Sequence, residues 1–367
     1  MSQTKNRDFG TIITRLIQKE NLSRNEARQA FVSVLNNSVT DMQQGAFLAA
    51  LTAKGETKEE VAGSWEAIYD LDTTKVDLNL EIRPVDNSGT GMDTFKTFNI
   101  STAASIIAAA GGIPMARHGA RAITSICGTV DMAEALGVDV ECTAERVAKS
   151  IESVGIGLFN GMSPHIHPMA LGRILSQIYF GSTLNIAASL ANPALPSIGV
   201  RGVYSKEMIR PVADVMQEIG YTSAIVLHGS IDDSDKGMDE ASVCGITHCA
   251  QILENEEIHP FTIDPKKLGI AVKNPGDLAP ENDIKTESKR FAALLNNREN
   301  SARKDAALLN AGLIFLAAGK AKSLEDGIEQ AARLLETGTA FETLEKWVNA
   351  QNTDPEKGLE KLHRLVQ

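Results

Sequence analysis

Apolar residues at Phe9, Ile12, Ile13, Leu16 and Ile17 recur at helical spacing along one face of the first stretch of chain. Three more stripes follow: Ala27, Ala30, Phe31 and Val34; then Phe47, Leu48 and Leu51; then Val61, Trp65, Ile68 and Tyr69. Each stripe comes just after an S/T-x-x-E/Q pattern, at Ser23 with Glu26, Thr40 with Gln43 and Thr57 with Glu60. That pattern marks a helix start, because hydroxyl and carboxyl (or amide) satisfy each other's exposed backbone N–H groups. Four short amphipathic helices are therefore predicted in an all-α unit over residues 1–71. Their stripes exceed what so small a unit buries alone, so it is expected to dock on a second domain or a second subunit.

Residues 72–83 are polar and alternating and read as a linker. From Pro84 onward short apolar runs alternate with helical segments, which predicts an α/β domain over residues 84–367. Strands are predicted at residues 83–87, 113–116, 156–160, 197–203 and 223–228. Helices fall at 102–110, 129–136, 144–154 and 206–219, the last interrupted by Pro211. Such alternation implies a parallel sheet covered on both faces. The C-terminal third turns helical again at 305–318, 324–335 and 341–348, with Gly319 and Gly338 as stop signals.

Composition narrows the partners. The 367 residues are 43% hydrophobic and 23% charged, with a net charge of −11. That balance argues against nucleic acid and membrane surfaces, which call for a basic footprint. A phosphate ligand stays open, since local donors outweigh a field screened over about 10 Å. The start MSQTKNRDFG has no apolar core of a signal peptide, and no long apolar run suits a membrane span. Four cysteines without a CxxC pair fit reduced thiols and a cytoplasmic location.

The chemistry concentrates in two places. A Gly89-Thr90-Gly91 turn follows a predicted strand and leads, through Asp93, to a hydroxyl-rich helix start at Asn99, Ser101 and Thr102. Arg117, His118 and Arg121 come next. Bare backbone N–H groups, a helix N-terminus and cations together make a polyanion cradle. Asp239-Glu240, behind a glycine, offers adjacent carboxylates suited to Mg²⁺. Asp232, Asp233 and Asp235 read as a solvated acidic turn. His165 and His167 invite a zinc reading but lie between Pro164 and Pro168 with no third ligand nearby. Cys244, His248 and Cys249 read as core or helix-face residues. Neither a nucleophile elbow nor a P-loop is present, so hydrolase and NTPase chemistry has no support.

Four motifs in order make the chain resemble the anthranilate phosphoribosyltransferase family over essentially its full length. The family's GTGGD…NIST appears as GTGMDTFKTFNIST, its KHGNR…SGSAD as ARHGAR…CGTVD, and its GLDE as GMDE. Both DMQQGAFLAALTAKGETKEEVAG and LLNAGLIFLAAGKAKSLEDGIEQA also match. The resemblance implies a mixed, mostly parallel sheet of the nucleoside phosphorylase/phosphoribosyltransferase type and a homodimer joined through the helical domain. It implies Mg²⁺-dependent transfer from 5-phosphoribosyl 1-pyrophosphate to a small-molecule acceptor, with no protein nucleophile. Carried over by position, Gly89, Gly91, Asp93, Thr97, Asn99, Ile100, Ser101, Thr102, Arg117, His118, Gly119, Arg121, Ser125 and Thr129 bind substrate. Ser101, Asp239 and Glu240 hold metal, and Ala120, Arg173 and Gln177 lie on the acceptor side.

Several family residues are replaced. The second loop glycine is Met92, the loop lysine is Arg117, the asparagine of KHGNR is Ala120, and the lysine of SSKSG is Ile126. Gln177 stands where the family carries the arginine that pairs with the anthranilate carboxylate, and Arg173 lies one turn earlier. The donor side is largely kept, whereas the acceptor side has lost an amide and a cation. A carboxylate left without its charge partner costs roughly 2–5 kcal/mol, about 30- to several-thousand-fold. The expectation is a phosphoribosyltransferase with an altered aromatic or nitrogenous acceptor. The alternatives are an authentic anthranilate enzyme, a non-catalytic binding relative, and a nucleoside phosphorylase of related fold.

Overall fold

Helices α1 (Ser2–Ile17), α2 (Arg24–Leu35), α3 (Asp41–Lys54) and α4 (Lys58–Leu71) make up the N-terminal helical part in this computed structural model, which describes residues 2–122 and 127–367. Ser23 and Thr57 close reciprocal capping boxes with Glu26 and Glu60. At Thr40 only half of the box forms, because the Gln43 amide donates to the Asn6 carbonyl at 2.6 Å and so ties α3 to α1. The surplus apolar stripes dock on the α/β part of the same chain. Phe31, Leu48, Val61, Trp65 and Ile68 share one core with Leu190, Val212, Met216, Val226 and Ile252.

The predicted linker is laid against the body rather than strung free. Thr74 and Val76 donate their N–H groups to the Ile166 and Pro193 carbonyls at 2.9 and 3.1 Å. Val76, Leu78 and Leu80 pack on a small core of Ala116, Val147 and Phe159. Asp72, at the end of α4, is fully buried.

The sheet contains β1 (Val85–Gly89), β2 (Met115–Gly119), β3 (Ile156–Asn160), β4 (Ile198–Gly202), β5 (Ser223–Ser230), β6 (Gly237–Met238), β7 (Thr247–Leu253) and β8 (His259–Ile263), in the order β3-β2-β1-β4-β5-β7-β8. The first five strands are parallel; β7 and β8 extend the sheet antiparallel, and β6 pairs antiparallel with the end of β5. The sheet is thus mixed and mostly parallel, as the family resemblance implies. The helices of this part are α5 (Ile100–Ala110), α6 (Thr129–Ala135), α7 (Ala144–Val154), α8 (Leu171–Ile178), α9 (Leu184–Leu190), α10 (Ile209–Glu218), α11 (Ile284–Leu295), α12 (Ala302–Ala317), α13 (Leu324–Glu336), α14 (Thr339–Ala350) and α15 (Pro355–Val366).

Strand alternation sends β5 residues to two different cores. Ile225 and Leu227 face α5 and α12, whereas Ala224 and Val226 face α10 and the helical unit. Pro211 does not interrupt a helix: a 3₁₀ turn at Lys206–Met208 precedes α10, and Pro211 sits in its first turn, where no intrahelical N–H is needed. All four cysteines are buried and unpaired. Cys249 and His248 lie on β7 rather than on a helix, with Cys249 turned into the core. Among the described residues no helix is long and apolar enough to cross a membrane.

Candidate active site

The parallel strands β1 and β2 end in glycines, and the chain after each borders one cleft of about 390 Å³. Its position beyond the carboxyl ends of the strands is where open α/β sheets take ligands. The Asn87 amide pins the start of α5 to β1 by donating to the Ser101 carbonyl at 3.0 Å and to Ser105 Oγ at 3.1 Å.

Gly89 allows a close approach that no other residue permits. A Cβ there would overlap the Asp239 carboxylate, which is brought over the end of β1 from the other side of the sheet. The Gly91 N–H then donates to Asp239 Oδ2 at 2.8 Å. Asp93, Asp239 and Glu240 thereby present carboxylate oxygens within 4.8 Å of one another. Ser101 Oγ lies 3.5 Å from Glu240 Oε1, while Glu240 Oε2 is buried with no hydrogen-bond partner. Burial, Asp239 and Asp93 push the Glu240 carboxyl well above its ordinary range. Burial and Asp239 raise Asp93 to about 6, although Lys96 at 2.7 Å opposes the shift. Three like charges and an orphaned oxygen are the features of a divalent-cation site.

Most of the residues expected to bind substrate border this cleft: Gly89, Gly91, Asp93, Thr97, Asn99, Ser101, Thr102, Arg117, His118, Gly119, Arg121 and Thr129. Ile100 does not; as the first residue of α5 it is fully buried in the core. Ser125 and Ile126 lie outside the described residues. Arg117 is 1% exposed and donates to the Asn87 carbonyl at 3.2 Å and to Thr102 Oγ1 at 2.8 Å. Burial lowers it to about 10, so it stays charged at neutral pH. The Arg121 guanidinium is held by Glu134, Asp131 and Glu141 at 2.8 to 3.1 Å.

The acceptor end departs from expectation. Ala120 borders the cleft, but Arg173 and Gln177 do not. Arg173 turns to the helical unit, donating to Gln44 Oε1 at 2.9 Å and to the Val34 carbonyl at 3.0 Å; Gln177 is exposed. The wall there is instead Leu171, Leu175, Ile178, Tyr179, Phe180 and Leu184. His167, considered above for zinc, is buried against His118 with 3.1 Å between their Nε2 atoms, while His165 is exposed. Burial brings His118 down to about 3 and lowers His167 as well, so neither supplies a cation at neutral pH. The Asp72 carboxylate accepts the N–H groups of Met169, Ala170 and Leu171 at 2.5, 2.9 and 2.8 Å, fixing the start of α8.

Sequence reasoning missed the apolar wall and, on the donor side, Lys96 and Phe98. Lys96, three residues past Asp93, offered a visible charge pair. Phe98 gave no polar signal at all. Met92 adopts a left-handed backbone, with φ of +66°. For a side chain with a Cβ this costs about 1–2 kcal/mol.

Two family models place the chain among the glycosyl transferases. The helical bundle domain of the glycosyl transferase family matches residues 11–71, and that family's a/b domain matches residues 81–341. The chain belongs to the anthranilate phosphoribosyltransferase family of these enzymes. It is 34% identical to the anthranilate phosphoribosyltransferase of Methanothermobacter thermautotrophicus over 93% of this chain and 97% of that one. It is 35% identical to that of Anaeromyxobacter dehalogenans, over 92% and 97%. The crystal structure of the Thermus thermophilus enzyme superposes with a TM-score of 0.83 at 29% identity, covering 93% of this chain and 99% of that one. The Saccharomyces cerevisiae enzyme in complex with PRPP and Mg shares the fold, with a TM-score of 0.82 at 23% identity, covering 94% and 98%.

Proposed function

We propose that this chain transfers the phosphoribosyl group of 5-phosphoribosyl 1-pyrophosphate, with Mg²⁺, to a small aromatic or nitrogenous acceptor other than anthranilate. One observation carries the donor half of the reading: three carboxylates gather opposite a glycine turn, and one of their oxygens is buried without a partner. Asp93, Asp239, Glu240 and Ser101 would hold the metal, which when bound neutralises negative charge on the departing pyrophosphate. The chain's own groups orient the donor: the backbone of Gly89 and Gly91, the hydroxyls of Thr97, Thr102 and Thr129, and the Asn99 amide all border the cleft. Among the described residues the cleft cysteine, Cys127, is a poor nucleophile, its thiol driven up to about 12 by burial. The family resemblance further implies a homodimer joined through the helical unit.

The acceptor half rests on the far wall. Six apolar or aromatic side chains line it, Arg173 is committed elsewhere, and the two histidines are uncharged. A carboxylate entering there would lose hydration without gaining a charge partner. Anthranilate itself is the second reading, and the 34–35% identity to enzymes bearing its name over more than nine-tenths of the chain favours it. Steady-state assay at saturating donor and Mg²⁺, beside the Methanothermobacter enzyme, separates the two. Anthranilate kcat/KM should be lower here by about 30-fold or more. Equal efficiency would establish the second reading.

A further inference from the structure

Met92 is a strained residue in an enzyme whose relatives are expected to place glycine there, and its contact gives the strain a purpose. Its thioether lies against Gly181 so closely that a Cβ on Gly181 would overlap the sulfur. The two residues come from opposite sides of the cleft. Gly91 and Asp93 flank Met92, the first donating its N–H to Asp239 at 2.8 Å, the second contributing a carboxylate to the same acidic cluster. Gly181 follows Tyr179 and Phe180 of the acceptor wall. Just beyond it, Thr183 Oγ1 donates to Glu56 Oε1 of the helical unit at 2.7 Å. Tyr179 itself has φ of +45°, so this short segment holds a second strained residue.

We propose that Met92 is a positioning residue that couples the donor loop to the acceptor wall. Cation and diphosphate held at Asp93 and Asp239 would set the position of the loop that carries Met92, and the thioether would pass that position on to Gly181 and the aromatic pair before it. A side chain held at positive φ persists where its surroundings over-determine it, and here the surroundings are the acidic cluster and Gly181. The coupling rests on the donor reading above, and its test keeps the two apart.

Hydrogen exchange of residues 178–184 is measured with and without 5-phosphoribosyl 1-pyrophosphate plus Mg²⁺, with calorimetry on the same samples. In the unaltered protein the donor should bind and slow exchange in this segment. In Met92→Gly, which relieves the backbone strain and so folds readily, the donor should still bind but leave exchange in this segment unchanged. Gly181→Ala should weaken donor binding because its Cβ meets the sulfur, and Met92→Gly in the same chain should restore it. A coupling of about threefold to a hundredfold is expected for residues in contact. Absence of donor heat in the unaltered protein would overturn the donor reading itself. Donor binding with equal protection in Met92→Gly, or a Gly181→Ala defect that survives Met92→Gly, would overturn the coupling alone.

Discussion

Glu240→Gln should lower kcat/KM by about 100- to 1,000-fold, the scale of losing one preorganised electrostatic contact to a transition state. Metal-free protein should at the same time become more stable. The sign follows from the raised folded-state pKa: above the ordinary carboxylate range, ionised Glu240 is buried beside Asp239 and Asp93, and folding must bear that repulsion. The unaltered protein therefore gains stability as pH falls through the folded pKa of Glu240, and glutamine removes that dependence. Mg²⁺ with donor should raise the thermal midpoint of the unaltered protein by mass action and do so much less in the variant. Activity and stability moving in opposite directions is the signature of a group kept for function. Unchanged activity with a lower midpoint would instead make Glu240 a structural residue.

The second large effect lies under the cleft. Arg303 and Glu287 are both fully buried, joined by two hydrogen bonds at 2.8 and 3.1 Å. The guanidinium also lies 4.8 Å from the centre of the Phe98 ring, and Phe98 borders the cleft just before Asn99. Arg303→Met leaves the buried Glu287 charge without a counter-charge, held only by the Glu281 N–H, and should cost about 3–5 kcal/mol in denaturant unfolding. Adding Glu287→Leu should recover most of the loss, because an apolar pair replaces a desolvated ionic one. A cost below about 1 kcal/mol for Arg303→Met would mean that water reaches the pair.

The elements that the sequence made legible are those with a strong local pattern. The run at residues 156–160 matches β3 at both ends; its five residues are all buried, and only Asn160 at its end carries a polar side chain. The antiparallel extension was missed for the opposite reason. β7 alternates buried and half-buried positions, and β8 is a largely exposed edge strand with Pro260 inside it. Helix α15 carried readable signals, an Asp354 cap followed by Pro355, that the apolar stripes alone did not use.

The site divides along the same line. Gly89, Ser101, Asp239 and Glu240 were identifiable because each sits in a short motif. Where a long side chain ends up was not legible. Arg173 could have faced the acceptor or the helical unit, and hydrogen bonds to Gln44 and Val34, more than a hundred residues away in sequence, decide it. Arg121 meets Glu134 and Glu141 in the same way, and Asp93 joins the acidic cluster only because the fold brings β6 and the residues after it over β1. Met92 adopts a positive φ that a residue with a Cβ rarely takes, and its contact with Gly181 is purely tertiary.

The most direct measurement is calorimetric titration of 5-phosphoribosyl 1-pyrophosphate into the protein with and without Mg²⁺. Saturable binding that requires Mg²⁺, and that falls sharply in Asp239→Asn, is the expected result. Absence of binding, or binding indifferent to both Mg²⁺ and Asp239, would contradict the assignment of this cleft to a metal-bound diphosphate.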